Sequence, residues 1–155
     1  MSATENLAKL GLKLPPPPAP IGVYVPLKRS GNMAFTSGML PVGADGKLIF
    51  EGKLGANVDV AAAEECAKLC VLNALAHIVA QLGSLDRVKS VVKVVGFVAS
   101  AVGFNKQGAV MNAASQLLVD IFGVEAGSHA RSAVGVAELP AGAPVEVELI
   151  VEVIG

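Results

Sequence analysis

The stretch Arg131-Ser-Ala-Val-Gly-Val-Ala-Glu-Leu-Pro-Ala-Gly-Ala-Pro144-Val-Glu-Val-Glu-Leu-Ile-Val-Glu-Val153 decides how this chain folds. In its second half, Val145, Val147, Leu149, Val151 and Val153 take alternate positions, with Glu146, Glu148, Ile150 and Glu152 between them. Side chains of a strand alternate between its faces, so this is a strand with one wholly apolar side. In the first half, Ser132, Val134, Val136 and Glu138 alternate with Arg131, Ala133, Gly135 and Ala137. Pro140 and Pro144 bracket a turn, because proline cannot donate to a ladder. The pattern predicts strands over Arg131–Leu139 and Val145–Val153, paired as a hairpin. If the two valine faces meet one apolar layer, Arg131 stands over Ala133, Gly135 and Ala137 on the same side as the glutamates. A guanidinium above small side chains has room beside it, and its fork matches a carboxylate. A salt bridge to a glutamate and a site for a small carboxylate ligand both fit. With Glu138 opposite Val145, Arg131 lies roughly 20 Å from Glu146 at about 3.3 Å per residue. A small ligand touching both residues then needs two copies of the chain.

Two helices are expected upstream. Asp59 is a candidate N-cap, and Ala62, Cys66, Leu69, Cys70, Leu72, Ala76, Val79 and Leu82 recur at helical spacing up to Gly83. Gln107–Phe122 is the second, closed by Gly123. The valine-rich run Val88–Ser100 between them predicts the central buried strand. Gly22–Leu27 and Met33–Ser37 predict two further strands around a turn at Lys28–Asn32, and Lys47–Phe50 a short third after Asp45-Gly46. Ser2 and Glu5 form a capping box for a short first helix over Ser2–Gly11. Pro15–Pro18 and Pro20 then predict an extended surface segment. The order βββαβαββ argues for an α+β domain whose two long helices cover one sheet face.

The chain has 155 residues, enough for one domain, with residues 1–20 as an N-terminal extension and 21–155 as the body. It is 53% hydrophobic and 16% charged, an apolar balance that suggests surface buried between subunits. Net charge is −1, lysines and arginines are scattered, and Tyr24 is the one tyrosine in a chain without tryptophan. Backbone attraction or base stacking by nucleic acid gains little from this. Cys66 and Cys70 lie one helical turn apart, a spacing for packing rather than for a disulfide framework. His77 has no His, Asp or Glu one turn further on, so no metal site is expected. Residues 1–13 lack an apolar leader core, and no run of about 18 apolar residues occurs, so a reducing, cytoplasmic location is the expectation.

The block from Arg131-Ser through Leu139-Pro to Val145-Glu-Val-Glu resembles the signature of the RidA/YjgF family of enamine/imine deaminases. Gly22-Val-Tyr24 resembles its Gly-Pro-Tyr, Gly31–Gly38 its second strand and Ser-Gly turn, and Phe104–Asn112 the start of a helix with its asparagine. The resemblance covers roughly Pro20 to Val153 and implies a ferredoxin-like or chorismate-mutase-like α+β domain, a homotrimer, and ligand clefts between subunits. It implies hydrolysis of 2-aminoacrylate-type enamines and imines to 2-oxo acids and ammonia, without metal or organic cofactor. Carried over position by position, Arg131 would hold the substrate carboxylate and Glu146 would position water. Tyr24, Ser37, Gly38, Asn112 and Ala133 would line the pocket. The chain departs from the pattern at Ala133, where relatives carry Cys or Thr. It departs also at His129 and Val23 (Pro in relatives) and at Met39 (Gln in relatives). His129, two residues before Arg131, could share its face. A non-catalytic binder of small carboxylates, and the ribonuclease or translation-inhibitor role reported for the family, are the competing expectations.

Overall fold

The computed structural model describes residues 1–155. Helix α1 spans Ala3–Lys9, strand β1 Leu27–Ser30, β2 Met33–Thr36, α2 Val60–Leu82, β3 Val88–Ala99, α3 Gln107–Gly127, β4 Ala130–Val136 and β5 Val145–Val153. The five strands form one mixed sheet in the order β1-β2-β5-β3-β4. Helices α2 and α3 pack on one of its faces, the α+β arrangement expected from the pattern of elements.

The caps are where the sequence puts them. The Asp59 side chain accepts from Ala62 N–H, and Gly83 closes α2 in the left-handed conformation. Ser2 and Glu5 complete the capping box of α1. Helix α2 is buried on nearly all sides between Cys70 and Ile78, because the sheet, α3 and the loop after β2 surround it. By length and composition alone α2 could span a bilayer, but 61% of its most apolar stretch is buried in the fold, the position of a core helix.

The last two strands are not a hairpin. Strand β4 pairs in parallel with β3, Arg131 opposite Val94, and β5 pairs antiparallel with the other edge of β3, Val94 opposite Leu149. The reason is the intervening α3: a strand–helix–strand unit returns parallel beside its first strand. The chain then turns at Pro140–Gly142 and crosses the end of β3, where Ala99 N–H donates to Pro144 O and Ser100 N–H to Val136 O. Val88–Ala99 is an interior strand as expected, paired with β5 and β4, and β5 takes the middle place. Its unbroken apolar face gains most from having neighbours on both sides, whereas β4, with Gly135 and Arg131, takes an edge.

Pairing also reassigns faces. Residues opposite one another share a face, so Arg131, Val94 and Leu149 all point towards the helices, and Glu146, Phe97 and Val134 point to the open side. Arg131 is therefore not on the glutamate face, as the hairpin reading had it. The open face carries Phe35, Ile150, Val95, Phe97 and Val134, with Phe35 41% and Val134 43% exposed.

Smaller corrections follow from single residues. The first strand begins at Leu27, where Gly22–Leu27 was expected to be strand, because Pro26 lacks an N–H and Val23 and Val25 stand in the open. The Lys28–Ser30 segment is strand and only Gly31-Asn32 turns. Lys47–Phe50 makes one bridge, Leu48 with Val42, and no strand. Strand β4 ends at Val136, short of Leu139. Helix α3 breaks at Gly123 (φ 80°, ψ 165°) but resumes to Gly127.

Candidate functional site

The expected site residues fall into two groups, with Arg131 and Glu146 on opposite sheet faces. Tyr24, Ser37, Gly38 and Glu146 line one cavity of about 470 Å³, together with Pro18, Pro20, Met39, Leu40 and His77. Arg131 and Asn112 meet elsewhere, at the edge where α3 covers β4.

The cavity is built on an extension of the β2–β5 ladder. Met39 N–H donates to Val147 O at 2.8 Å and Val147 N–H to Met39 O at 3.1 Å, which sets Gly38 opposite Glu148 with Glu146 as its diagonal neighbour on the same face. A Cβ at Gly38 would collide with Glu146 Oε1, so glycine is what lets the carboxyl lie against this backbone. Ser37 is tied down by its Oγ donating to Val25 O at 2.7 Å and its N–H to Pro26 O at 2.9 Å. Tyr24 OH accepts from Ile21 N–H at 3.3 Å. Burial, and next the charge of Glu148, push the Glu146 carboxyl above its ordinary range.

Two walls of this cavity were not foreseen. His77 is buried on α2 and lines the cavity with Pro18, and burial holds its ring below the ordinary histidine range, towards the neutral form. One turn earlier Asn73 Nδ2 donates to Leu40 O and Val42 O, both at 3.0 Å, which pins the loop that forms the wall. The N-terminal segment is therefore part of the site's architecture. It is anchored further back by Leu7 in the core, by Asn6 Nδ2 on Ile121 O, and by Thr4 on the Asp86 carboxylate. No motif marks His77 as a wall residue, since only the folded path of the proline segment brings Pro18 to it.

At the other edge, Arg131 Nη1 donates to Asn112 Oδ1 at 2.9 Å and to Ser115 Oγ at 3.2 Å, and Nη2 to Gly108 O at 3.4 Å. All three partners are neutral and lie on α3. The two ion pairs of the chain, Lys53–Glu138 and Lys89–Glu152, leave Arg131 without a carboxylate. Ser115 also contacts His129 Nε2 at 2.9 Å. Its involvement was legible only as the i+3 neighbour of Asn112 on one helix face. Ala133 sits beside Arg131 on the same face, opposite Gly96 and packed against the core.

Within one chain the groups stay apart. Arg131 and Glu146 are separated by about 10 Å along the strands and about 10 Å across the two strand spacings, on opposite faces. Cys66 and Cys70 belong to neither group. Both are fully buried in the core, with Cys66 pushed up to about 12 by burial.

Residues 4–153 match the model of the YjgF/chorismate-mutase-like endoribonuclease family. Protein TCP17 of Trypanosoma cruzi is 46% identical over 147 residues, covering 95% of this chain and 91% of that protein. The crystal structure of Atu1372 from Agrobacterium tumefaciens, of unknown function, is 42% identical, covers 99% of this chain and 94% of its own, and superposes with a TM-score of 0.89. Escherichia coli TdcF, solved with bound serine, is 28% identical over 90% of this chain and 94% of its own, with a TM-score of 0.65. The chain belongs to the YjgF/chorismate-mutase-like family.

Proposed function

We propose that this protein hydrolyses small 2-imino acids and their enamine tautomers to 2-oxo acids and ammonia, in a homotrimer whose sites lie between subunits. Arg131, with Asn112, binds the substrate carboxylate. Tyr24, Ser37, Gly38 and Glu146 of the next copy form the rest of the pocket. The observation that carries this reading is the state of Arg131: a half-buried guanidinium held by neutral groups, with its charge unanswered in its own chain. Such a fork is prepared for an anion. The exposed Phe35 and Val134 on the open sheet face support association. TdcF, the relative solved with bound serine, holds a small molecule that carries a carboxylate.

The chemistry asks for little beyond placement. The imine carbon is electrophilic, and Glu146 is positioned to take a proton from the attacking water as oxygen bonds to that carbon. Glu146 passes that proton to nitrogen to give the carbinolamine, whose hydroxyl proton then reaches the amino group through Glu146 as the C=O forms and ammonia leaves, so one water is consumed and one ammonia released. A carboxyl whose affinity for protons is raised by burial serves both transfers better than an exposed one. Net charge of −1 gives the ribonuclease reading no comparable support.

The test is a mixing experiment. Arg131→Ala and Glu146→Ala variants, each inactive, are unfolded together and refolded. A shared site predicts partial return of imine hydrolysis in mixed trimers and none in either variant alone. Light scattering on the wild type should give three chains per particle. A monomer at micromolar concentration, or no restoration on mixing, would sink the proposal.

A further inference from the structure

We propose that Ser115 and His129 are positioning residues for Arg131, fixing the guanidinium in the orientation that receives a ligand carboxylate. This rests on the reading of Arg131 given above and adds two residues to it.

The argument is one of hydrogen-bond polarity. His129 Nδ1 lies 2.6 Å from Gly127 O, and a carbonyl only accepts, so Nδ1 carries a proton. In the neutral ring Nε2 is then an acceptor, and its partner 2.9 Å away is Ser115 Oγ. The serine proton points to the histidine. That leaves the oxygen's lone pairs for Arg131 Nη1, 3.2 Å away. Without the histidine the hydroxyl proton has no fixed acceptor and competes for a carbonyl of its own helix, so the direction of its lone pairs is no longer set. The ring thus selects the hydroxyl rotamer that accepts from arginine, and Asn112 Oδ1 holds the same Nη1 from a second direction.

The far end of this relay is rigid. The break at Gly123 turns the last part of α3 back on itself, and Ser128 N–H and Oγ both bond to Val124 O. Gly127 is packed so closely that a Cβ there would lie 2.7 Å from Leu118 O and from Val119 Cα. The carbonyl that orients His129 therefore has little freedom. The chain of contacts Gly127–His129–Ser115–Arg131 runs from packed backbone to a charged group that has no carboxylate. A Ser–His contact also suggests a nucleophile, but Ser115 lies inside α3, where the surrounding N–H groups are consumed by the helix ladder and none remains for an oxyanion.

The experiment measures pyruvate binding by calorimetry, and kcat and KM for imine hydrolysis, in wild type, Arg131→Ala, Ser115→Ala, His129→Phe and His129→Gln. Glutamine keeps an acceptor in reach of Ser115, and phenylalanine keeps only the shape. Ser115→Ala and His129→Phe should each weaken pyruvate binding and raise KM about fivefold to tenfold, with kcat within about twofold. His129→Gln should recover to within about twofold of wild type. The Ser115→Ala/His129→Phe double variant should be no worse than the poorer single variant, because both break one relay. Thermal melting checks each fold, and Ser115→Ala, which removes one oxygen from a half-buried site, keeps the test open if His129→Phe does not fold. If Arg131→Ala loses binding while Ser115→Ala binds as wild type, the relay is wrong and the arginine reading stands. If His129→Gln is as impaired as His129→Phe, the ring acts by packing and the proposal is overturned. If Arg131→Ala binds pyruvate normally, the parent reading fails and takes this one with it.

Discussion

The Glu146 cavity and the Arg131 corner are built on the same sheet by opposite means. The cavity is a backbone construction: a ladder continued by Met39 and Val147, a glycine that admits a carboxyl, and a proline segment laid against α2. The corner is a side-chain construction, in which three groups on α3 and one histidine hold a guanidinium. The cavity carries a carboxylate whose charge is discouraged by burial and by Glu148. The corner carries a cation with no counter-charge. Each half has what the other lacks, and the sheet keeps them apart within one chain. In the proposed homotrimer, a second copy would bring one half to the other.

The largest effect should come from the corner. Arg131→Ala is expected to abolish imine hydrolysis and to cost about 1.5–3 kcal/mol in 2-oxo acid binding, the range of a charged hydrogen bond. Arg131→Lys should fail too, since a single ammonium cannot reproduce the fork. Retained activity in both variants would remove Arg131 from the mechanism and break the comparison outright.

Next comes the cavity's backbone. In Gly38→Ala the new methyl group would displace the Glu146 carboxyl, and a shift of that kind costs about a hundredfold in rate. Pyruvate affinity, which depends chiefly on Arg131, should change far less. Equal losses in binding and in rate would show that the halves do not divide the work as described.

The smallest effect sharpens the electrostatics. Because Glu146 must be ionised to act as a base and its affinity for protons is raised, activity should fall with decreasing pH at a point above the ordinary carboxyl value of 4.5. Glu148→Gln removes the second cause of that shift, so the acid limb of kcat/KM should move to lower pH. The sign carries over to stability: folding favours protonated Glu146, so its contribution is fully present below the unfolded value and is lost as pH rises through the folded one. An acid limb unmoved in Glu148→Gln would mean that another group sets it.

Local signals in the sequence were reliable where one residue's geometry decides. Asp59 and Gly83 bound α2 because a cap needs only its own side chain or its own φ, and Ser2 with Glu5 bound α1 for the same reason. The alternation of β5 was legible because its whole inner face is buried. The hairpin was not. Nothing in Pro140–Pro144 distinguishes a tight turn from a passage over the end of another strand, and that choice set the face on which Arg131 stands.

The sequence by itself determined the two long helices, the last three strands, the α+β class and, through the Arg131-to-Glu block, the family. Those depend on periodicity, capping and residue identity, which are properties of short stretches. Only the tertiary structure decided that β3 inserts between β4 and β5, that Arg131 faces α3 while Glu146 faces away, and that Pro18 reaches His77. Such pairings join residues far apart in the chain, and no local pattern encodes which strand edge a segment will find.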